Sequence, residues 1–240
     1  MNPQAKPVAI IPARGGSKRI PRKNIRKFNG MPMIGLTIEK LHTSRLFESV
    51  YVTTDDEEIA ETAKKFGAQV PFRRESSLAD DITPTVPVVR DAIRRLNLSS
   101  SPHLPLVCVY PCVPLLKTDT LASAITMLND QEQRFIFPIV AFESAPQRAL
   151  RLSKNSRVAP ASPEYAGTRT QDLEKLYYDC GQFYCALVQA WLAKDNIHLN
   201  GRGIKVDRAS AVDIDTESDW KYAEQIHLLQ LGSRTAQDSL

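Results

Sequence analysis

The residues best suited to chemistry are concentrated in one cationic loop near the amino terminus. Residues 13–24 are A-R-G-G-S-K-R-I-P-R-K-N, and they follow an apolar run, Val8 to Ile11, that predicts a buried strand. Paired glycines let backbone N–H groups approach an anion closely, and arginine can hold phosphate oxygens through two hydrogen bonds. The loop therefore predicts a polyphosphate site rather than a solvated basic loop. Its charge comes from Arg14, Lys18, Arg19, Arg22 and Lys23.

An acidic pair near the other end of the chain is the second candidate site. Asp213 and Asp215 occur in D-I-D-T-E-S-D-W, after or within a strand predicted over 212–214. Side chains two positions apart on an extended segment face the same side, and two carboxylates beside a polyphosphate suit Mg²⁺. The alternative is helix capping by Asp215 or Thr216, and Asp215 can serve both purposes.

Apolar runs and helical patterns alternate along the chain, which predicts a doubly wound, mostly parallel α/β sheet. Ligands bind beyond the carboxyl ends of parallel strands, so the loop at 12–24, the strand exit at 110–114 and the acidic pair should converge. We predict strands at 8–11, 49–53, 69–72, 106–110, 135–142, 182–187, 204–206 and 212–214, and helices at 33–44, 54–66, 84–97, 117–129, 188–194 and about 217–231, followed by a frayed polar tail.

The alternation stops between about 143 and 180. This segment is rich in Ser, Pro, Arg and Tyr and has no long periodicity. It predicts an inserted arm or lid on one domain that covers residues 1–240.

Composition excludes several other classes of protein. The 240 residues are 42 % hydrophobic, and 31 basic against 27 acidic residues give a net charge of +4, concentrated in the cationic loop. A local anion site explains this charge better than a nucleic-acid surface. We find neither a long apolar run that predicts a membrane span nor a signal-peptide pattern. The four cysteines lack a disulfide or zinc spacing, which favours a cytoplasmic protein, and we assign no role to the four histidines.

The cationic loop resembles the amino-terminal signature of the CMP-sialic acid synthetase family of cytidylyltransferases. In that family an A-R-x-x-S-K loop and a following K-N pair hold the nucleotide triphosphate. The D-I-D-T-E sequence resembles the family's carboxyl-terminal signature, whose two aspartates hold the metal; here these are Asp213 and Asp215. The resemblance implies that the nucleotide-binding residues of the loop are Ala13, Arg14, Gly15, Gly16, Ser17, Lys18, Lys23 and Asn24.

A third resemblance covers residues 73–85, R-R-E-S-S-L-A-D-D-I-T-P-T. It is similar to the family's R-P-x-x-L-x-x-D segment, which follows the nucleotide around base and ribose. Alignment on Leu78 makes Arg74 the nucleotide-binding arginine, whereas alignment on the preceding strand makes it Arg73. Glu75 replaces the family's proline, and Thr85 falls where a hydroxyl residue belongs. A polar turn is the alternative.

The expected sugar-binding residues differ from those of the sialic acid enzymes. Tyr110 and Cys112 replace the Gln and Thr of their Q-P-T-x-P-L stretch. The stretch from Arg169 to Tyr184 is similar to the R-S-Q-D-L…Y-H-D-A-G-Q-F-Y pattern of the pseudaminic acid branch of the family, although core packing is an alternative for Tyr184. The resemblance implies that the sugar-binding residues are Tyr110, Cys112, Arg148, Arg169, Gln182 and Tyr184.

The resemblance implies a Rossmann-like, mixed but mostly parallel sheet of the nucleotide-diphospho-sugar transferase type, with a small dimerisation arm. It implies a Mg²⁺-dependent homodimer that transfers CMP from CTP to the anomeric hydroxyl of a nonulosonic acid, with pseudaminic acid favoured, and releases pyrophosphate. Its catalytic residues would be Arg14, Lys18, Lys23 and Asp215. The general base stays open between Asp215 and a metal-bound hydroxide. Alternatives are N-acetylneuraminic acid, legionaminic acid or Kdo as the sugar, and a non-catalytic nucleotide-binding module.

Overall fold

The structure, a computed structural model, describes residues 5–128 and 134–237 and is built on a seven-stranded sheet. The strands are β1 (Val8–Pro12), β2 (Lys27–Phe28), β3 (Met31–Pro32), β4 (Ser49–Thr53), β5 (Pro105–Val109), β6 (Ile136–Ala141), β7 (Leu150–Leu152), β8 (Val158–Pro160), β9 (Tyr177–Asp179), β10 (Phe183–Leu187) and β11 (Arg202–Lys205). The helices are α1 (Met33–Ser44), α2 (Glu57–Lys65), α3 (Thr85–Arg95), α4 (Thr118–Thr126), α5 (Val188–Ala193) and α6 (Glu217–Gln237).

The strand order across the sheet is β11-β6-β10-β5-β1-β4, and β9 also pairs with β6. Strand β1 runs parallel to both β4 and β5, and β11 runs parallel to β6. Strand β10 lies antiparallel between β5 and β6. The mixed, mostly parallel sheet is therefore confirmed, and β10, like β9 beside β6, brings its amino-terminal end to the edge where the parallel strands end.

Both faces of the sheet are covered by helices, because successive strand residues point to opposite sides. Ala9 and Ile11 of β1 pack in a buried cluster with residues of α1, α2 and α4. Val8 and Ile10 pack in a second cluster with α3 and α5. Trp220 of α6 is in a third cluster, with residues of the cationic loop and the β2–β3 hairpin. This third cluster links the two ends of the chain.

The predicted element bounds hold along most of the chain, with two corrections in the strands. Residues 69–72 do not form a strand: Gln69 makes one isolated bridge, to Tyr51 of β4. Residues 212–214 do not form a strand, because Ile214 packs into the third cluster and its carbonyl accepts a hydrogen bond from Lys23 instead of a neighbouring strand.

The carboxyl-terminal helix is longer than predicted. Gly232 does not adopt the left-handed conformation that commonly ends helices, and α6 continues to Gln237. Part of the predicted polar tail, residues 238–240, lies outside the described residues, as does the predicted end of α4 at Asn129. Among the described residues, no helix is long and apolar enough to cross a membrane.

The segment from residue 143 to 176, here called the arm, departs from the α/β layers. It contains the β7–β8 hairpin and several single-turn helices, and most of its residues are exposed. Leu150, Leu152 and Val158 of the hairpin expose more than half of their surface. The predicted break in the alternation therefore corresponds to a weakly covered extension of the chain.

The four cysteines should react slowly with thiol reagents in the folded protein. All four are free thiols, and burial raises the pKa of Cys112 and of Cys180 to about 12 and raises the pKa of Cys108 and of Cys185 as well. Only the thiolate is reactive. Ellman's reagent at pH 8 should label the native protein far more slowly than the protein unfolded in guanidinium chloride. Rapid labelling of one native thiol would contradict this burial.

Candidate functional site

A cavity of about 500 Å³ lies at the edge of the sheet where β1 and β5 end. Segments that are distant in the sequence line it, which is the placement expected for a ligand site in an open α/β sheet. Of the predicted residues, the cavity is lined by Arg14, Ser17, Lys18, Lys23, Asn24, Arg74, Thr85, Tyr110, Cys112, Tyr184, Asp213 and Asp215.

The first two cations of the loop are paired with a carboxylate that also lines the cavity. Arg14 and Lys18 both form ion pairs with Asp81, and Arg14 Nη1 also donates to the Asp80 carbonyl oxygen at 3.2 Å. Hydrogen bonds from Lys18 and Arg14 hold the pKa of Asp81 below its usual value. An anionic ligand that binds these cations therefore competes with Asp81, a residue to which sequence analysis assigns no role.

The glycine pair does less for the cavity than predicted. The N–H of Gly15 donates to Asp55 Oδ1 at 3.0 Å, and a Cβ at this position would lie 2.6 Å from Asp56 Oδ2. Glycine is therefore required here for close packing against the segment before α2. Ala13 is buried and donates its N–H to the Thr53 carbonyl oxygen. Ala13, Gly15 and Gly16 are absent from the cavity lining.

The acidic pair lies next to the cationic loop. Lys23 Nζ donates to the Ile214 carbonyl oxygen at 2.5 Å and lies 3.7 Å from Asp215 Oδ1. Arg19 Nη1 lies 2.7 Å from Asp215 Oδ2. Ile214 is buried in the third cluster, so the side chains on either side of it, Asp213 and Asp215, face the cavity. The structure thus brings the two ends of the chain together at one site.

The helix-capping alternative for Asp215 is not what the structure shows. Thr216 and Asp219 form a reciprocal cap at the start of α6: the Asp219 N–H donates to Thr216 Oγ1, and Asp219 Oδ2 accepts from the Thr216 N–H at 2.8 Å. Hydrogen bonds from Thr216 lower the pKa of Asp219. Because Asp219 also accepts the Asp215 N–H, the cap holds the backbone of Asp215 in place and does not use its carboxylate, which faces the cavity beside Arg19 and Lys23.

The donor set at this position fits Mg²⁺. Partial burial and the neighbouring Asp215 carboxylate raise the pKa of Asp213, and a bound cation would relieve both effects. Within the described part of the chain, no group of three or more His, Cys, Asp or Glu side chains is placed to hold a metal. Mg²⁺ commonly uses one or two carboxylates and takes its other ligands from substrate phosphates and water, so a two-aspartate site is sufficient.

The structure assigns the two neighbouring arginines to different places. Arg74 is buried at the cavity, where its Nε and Nη2 donate to the hydroxyl and the carbonyl oxygen of Thr53. Burial lowers the pKa of Arg74 to about 10. Arg73 instead pairs with Glu57 at the start of α2. The alignment on Leu78 is therefore the one that the geometry supports.

Asn24 and Cys112 join the cationic loop to the exit of β5. Asn24 Nδ2 donates to the Arg14 carbonyl oxygen at 2.8 Å, and Cys112 Sγ donates to Asn24 Oδ1 at 3.2 Å. Both side chains therefore help to fix the loop, and both also line the cavity.

A group of hydroxyl side chains forms another part of the cavity wall. Thr85 Oγ1 and Tyr110 Oη are 2.5 Å apart, and the Tyr110 and Tyr184 rings pack edge to face. Burial raises the pKa of Tyr110 to about 12 and also raises the pKa of Tyr184. Tyr184 Oη donates to Asp179 Oδ2 at 2.6 Å, and His198 Nε2 lies 2.7 Å from the same oxygen.

Three predicted sugar-binding residues do not reach the cavity within this chain. Gln182 is buried, and its Nε2 donates to the Ser210 carbonyl oxygen at 2.5 Å, so it positions the segment before Asp213 instead of contacting a ligand. Arg148 lies in the arm and donates to the Thr168 carbonyl oxygen. Arg169 also lies in the arm, outside the cavity lining.

Sequence reasoning missed two functional candidates. Asp81 was part of a recognised motif, and its charge could have indicated an ion pair. His198 offered no local signal, because its link to Tyr184 through Asp179 exists only in the folded chain.

Known proteins with similar sequences indicate the family of this chain. A family model described as cytidylyltransferase matches residues 8–195. The chain is 40 % identical, over 92 % of its length and 96 % of the relative's, to the pseudaminic acid cytidylyltransferase of Campylobacter jejuni serotype O:2. It is 33 % identical, over 90 % of its length and 93 % of the relative's, to the CMP-N,N'-diacetyllegionaminic acid synthase of the same strain.

The likeness to solved structures shows the same fold. A CMP:2-keto-3-deoxy-manno-octonic acid synthetase solved with CTP superposes with a TM-score of 0.70 at 15 % identity, over 94 % of this chain and all of that one. A 4-diphosphocytidyl-2C-methyl-D-erythritol synthase superposes with a TM-score of 0.66 at 11 % identity, over 92 % and 97 % of the two chains. The family model and the two relatives show that this chain belongs to the cytidylyltransferase family.

Proposed function

We propose that this protein transfers CMP from CTP to the anomeric hydroxyl of pseudaminic acid and releases pyrophosphate. The observation that carries the proposal is the convergence of the cationic loop and the two aspartates on one cavity, with Lys23 bonded directly to the segment between them. The choice of sugar rests on the higher identity to the pseudaminic acid enzyme than to the legionaminic acid enzyme.

Catalysis at this site would come from positioning and charge neutralisation. Arg14, Lys18 and Lys23 would bind the triphosphate and the leaving pyrophosphate. Asp213 and Asp215 would hold Mg²⁺, which when bound supplies positive charge to the phosphate oxygens. Base and ribose would be oriented by Asn24, Arg74 and Thr85, and Ser17 would bind phosphate from the loop.

The attacking hydroxyl of the sugar must lose a proton as it bonds to the α-phosphorus. We assign this proton to Asp215, whose carboxylate lines the cavity and is oriented by Arg19 and Lys23. Tyr110, Cys112 and Tyr184 would bind the sugar in the cavity.

A homodimer accounts for the residues that this chain does not bring to its own cavity. The exposed apolar side chains of the β7–β8 hairpin offer a surface for a second copy. Such an arm would carry Arg148 and Arg169 toward the sugar site of the neighbouring subunit. We place the reaction in the cytoplasm, because the four cysteines are free thiols, the state that a reducing compartment maintains.

Pyrophosphate release over a small matrix of substrates tests the proposed function. CTP, UTP and ATP are each combined with pseudaminic, legionaminic, N-acetylneuraminic and Kdo sugars, with and without Mg²⁺. Only CTP with pseudaminic acid and Mg²⁺ should give rapid release. Turnover of another sugar alone would retain the reaction and refute the substrate, and a lack of turnover with every pair would refute the reaction.

Removing the charge of Asp215 should abolish turnover without unfolding the protein. Asp215→Asn should lower kcat by about a thousandfold, because the Mg²⁺ that would neutralise the phosphate charge loses one of its two carboxylate ligands. Steady-state rates and thermal unfolding of the variant are the measurements. The matched control is Glu217→Gln, two residues along, where the carboxylate pairs with Arg26 outside the cavity. Near-normal turnover in Asp215→Asn would contradict the metal assignment.

Replacing Arg73 or Arg74 by methionine should have different effects on the KM for CTP. Arg74→Met should raise the KM for CTP about tenfold and lower the free energy of unfolding by about 1–3 kcal/mol, because the two buried hydrogen bonds from the guanidinium to Thr53 are lost, while the Thr53 carbonyl oxygen keeps the Ala13 N–H. Arg73→Met removes an ion pair with Glu57 and should leave the KM for CTP unchanged. Titrating CTP at saturating sugar measures both variants, and the reverse pattern would restore the alternative alignment.

A further inference from the structure

The hydroxyl side chains of Thr85, Tyr110 and Tyr184, here called the hydroxyl wall, line the cavity and are backed by two residues that do not. Asp179 lies behind Tyr184 at hydrogen-bond distance, and His198 lies behind Asp179. The wall is therefore connected through a carboxylate to an imidazole whose side chain is 59 % exposed. Neither Asp179 nor His198 has a function in the reaction described above.

The carboxylate decides which way the hydrogen bonds of this group point. An ionised carboxylate only accepts, so the single hydroxyl proton of Tyr184 is donated to Asp179 Oδ2. The same oxygen faces His198 Nε2, which must therefore carry a proton and donate it. Asp179 Oδ1 accepts the Gly181 N–H at 2.8 Å. Asp179 is thus fixed by donors on both oxygens.

The Thr85–Tyr110 pair differs from Tyr184 in one respect. Its two hydroxyls hold two protons, of which their mutual hydrogen bond uses one. The pair therefore keeps a proton that it can donate, either to a ligand or to the neighbouring Tyr184 hydroxyl, which interacts with Tyr110. Tyr184 has none left, and it presents only oxygen lone pairs to a ligand.

We propose that His198 and Asp179 fix Tyr184 as an obligate hydrogen-bond acceptor, and that Tyr184 selects a sugar group that donates, namely an acylamino N–H or a hydroxyl. The proposal rests on the proposed function for the identity of the ligand as an acid sugar. It also gives the sugar a direction in the cavity, because an acceptor next to a carboxylate repels the carboxylate of the sugar. His198 acts through Asp179 and is a positioning residue.

The backbone supports this arrangement at the break between β9 and β10. Gly181 has a φ of +62°, a conformation that side chains disfavour, and it lies on the cavity between Asp179 and Tyr184. The turn brings its N–H back to Asp179 and so orients the carboxylate toward Tyr184. The His198 ring packs edge to face on Phe137 at 5.3 Å, which holds the imidazole in place from the other side.

Kinetics of four variants test the proposal, with CTP and pseudaminic acid as substrates. His198→Leu and Tyr184→Phe should each raise the KM for the sugar about tenfold and leave the KM for CTP unchanged, because one hydrogen bond to the sugar is lost or misdirected. His198→Gln should stay within about threefold of the wild type, because its amide N–H can still donate to Asp179. Tyr177→Phe is the matched control: it removes a hydroxyl in β9, outside the cavity lining, and should change neither constant.

Several outcomes would overturn the proposal. These are a normal KM for the sugar in His198→Leu, equal impairment of His198→Gln and His198→Leu, or a matching rise in the KM for CTP. A lack of pyrophosphate release by the wild type with any acid sugar would refute the proposed function instead. The wall itself is then tested by proton NMR, where the Tyr184 hydroxyl proton, identified by its loss in Tyr184→Phe, should be protected from exchange and should shift in His198→Leu. Rapid exchange of that proton in the wild type would refute its bond to Asp179.

Discussion

The site depends on compensation of the positive charge in the cationic loop. Residues 14–23 carry five cations, which repel one another unless carboxylates lie nearby. Later segments supply them: Asp81 faces Arg14 and Lys18, Asp56 faces Arg22, and Asp215 faces Arg19 and Lys23. Exposed ion pairs contribute little stability, and Lys18 and Arg19 are 78 % and 70 % exposed. Their effect is to compensate the charge of the loop at the edge of the sheet where these distant segments meet.

Sequence patterns predicted the features that depend on local chemistry. The alternation of apolar runs gave the layers of the sheet, and the acidic pair flanks a buried Ile214 as its spacing requires. The β2–β3 hairpin was missed although Asn29-Gly30 carries its signal: both residues have positive φ, as a tight hairpin turn needs. The pattern at 212–214 predicted an extended segment, but it did not decide whether that segment pairs with a neighbouring strand. Packing of the Ile214 side chain requires the same alternation as strand pairing does.

Features that depend on tertiary contacts could not be predicted in this way. The choice between Arg73 and Arg74 depends on which guanidinium the Thr53 carbonyl oxygen can reach. The requirement for Gly15 comes from Asp56, 41 positions later in the chain. Gln182 matched a family pattern, yet its amide is used by Ser210 to support the acidic segment. In each case the partner is remote in sequence, so residue type and spacing leave the role undetermined.

Pairing with Asp81 has a consequence for how strongly salt affects nucleotide binding. A triphosphate that enters the cavity replaces the Asp81 carboxylate as the anion paired with Arg14 and Lys18. These two cations are therefore already paired before the triphosphate binds. The displaced loop has little to hold it, since Ile82, the residue after Asp81, is 86 % exposed. The energetic cost of the exchange is therefore mainly the loss of two exposed ion pairs, which is small. Because both the initial and the final state are paired, the affinity for CTP should depend less on ionic strength than the number of cations in the loop suggests.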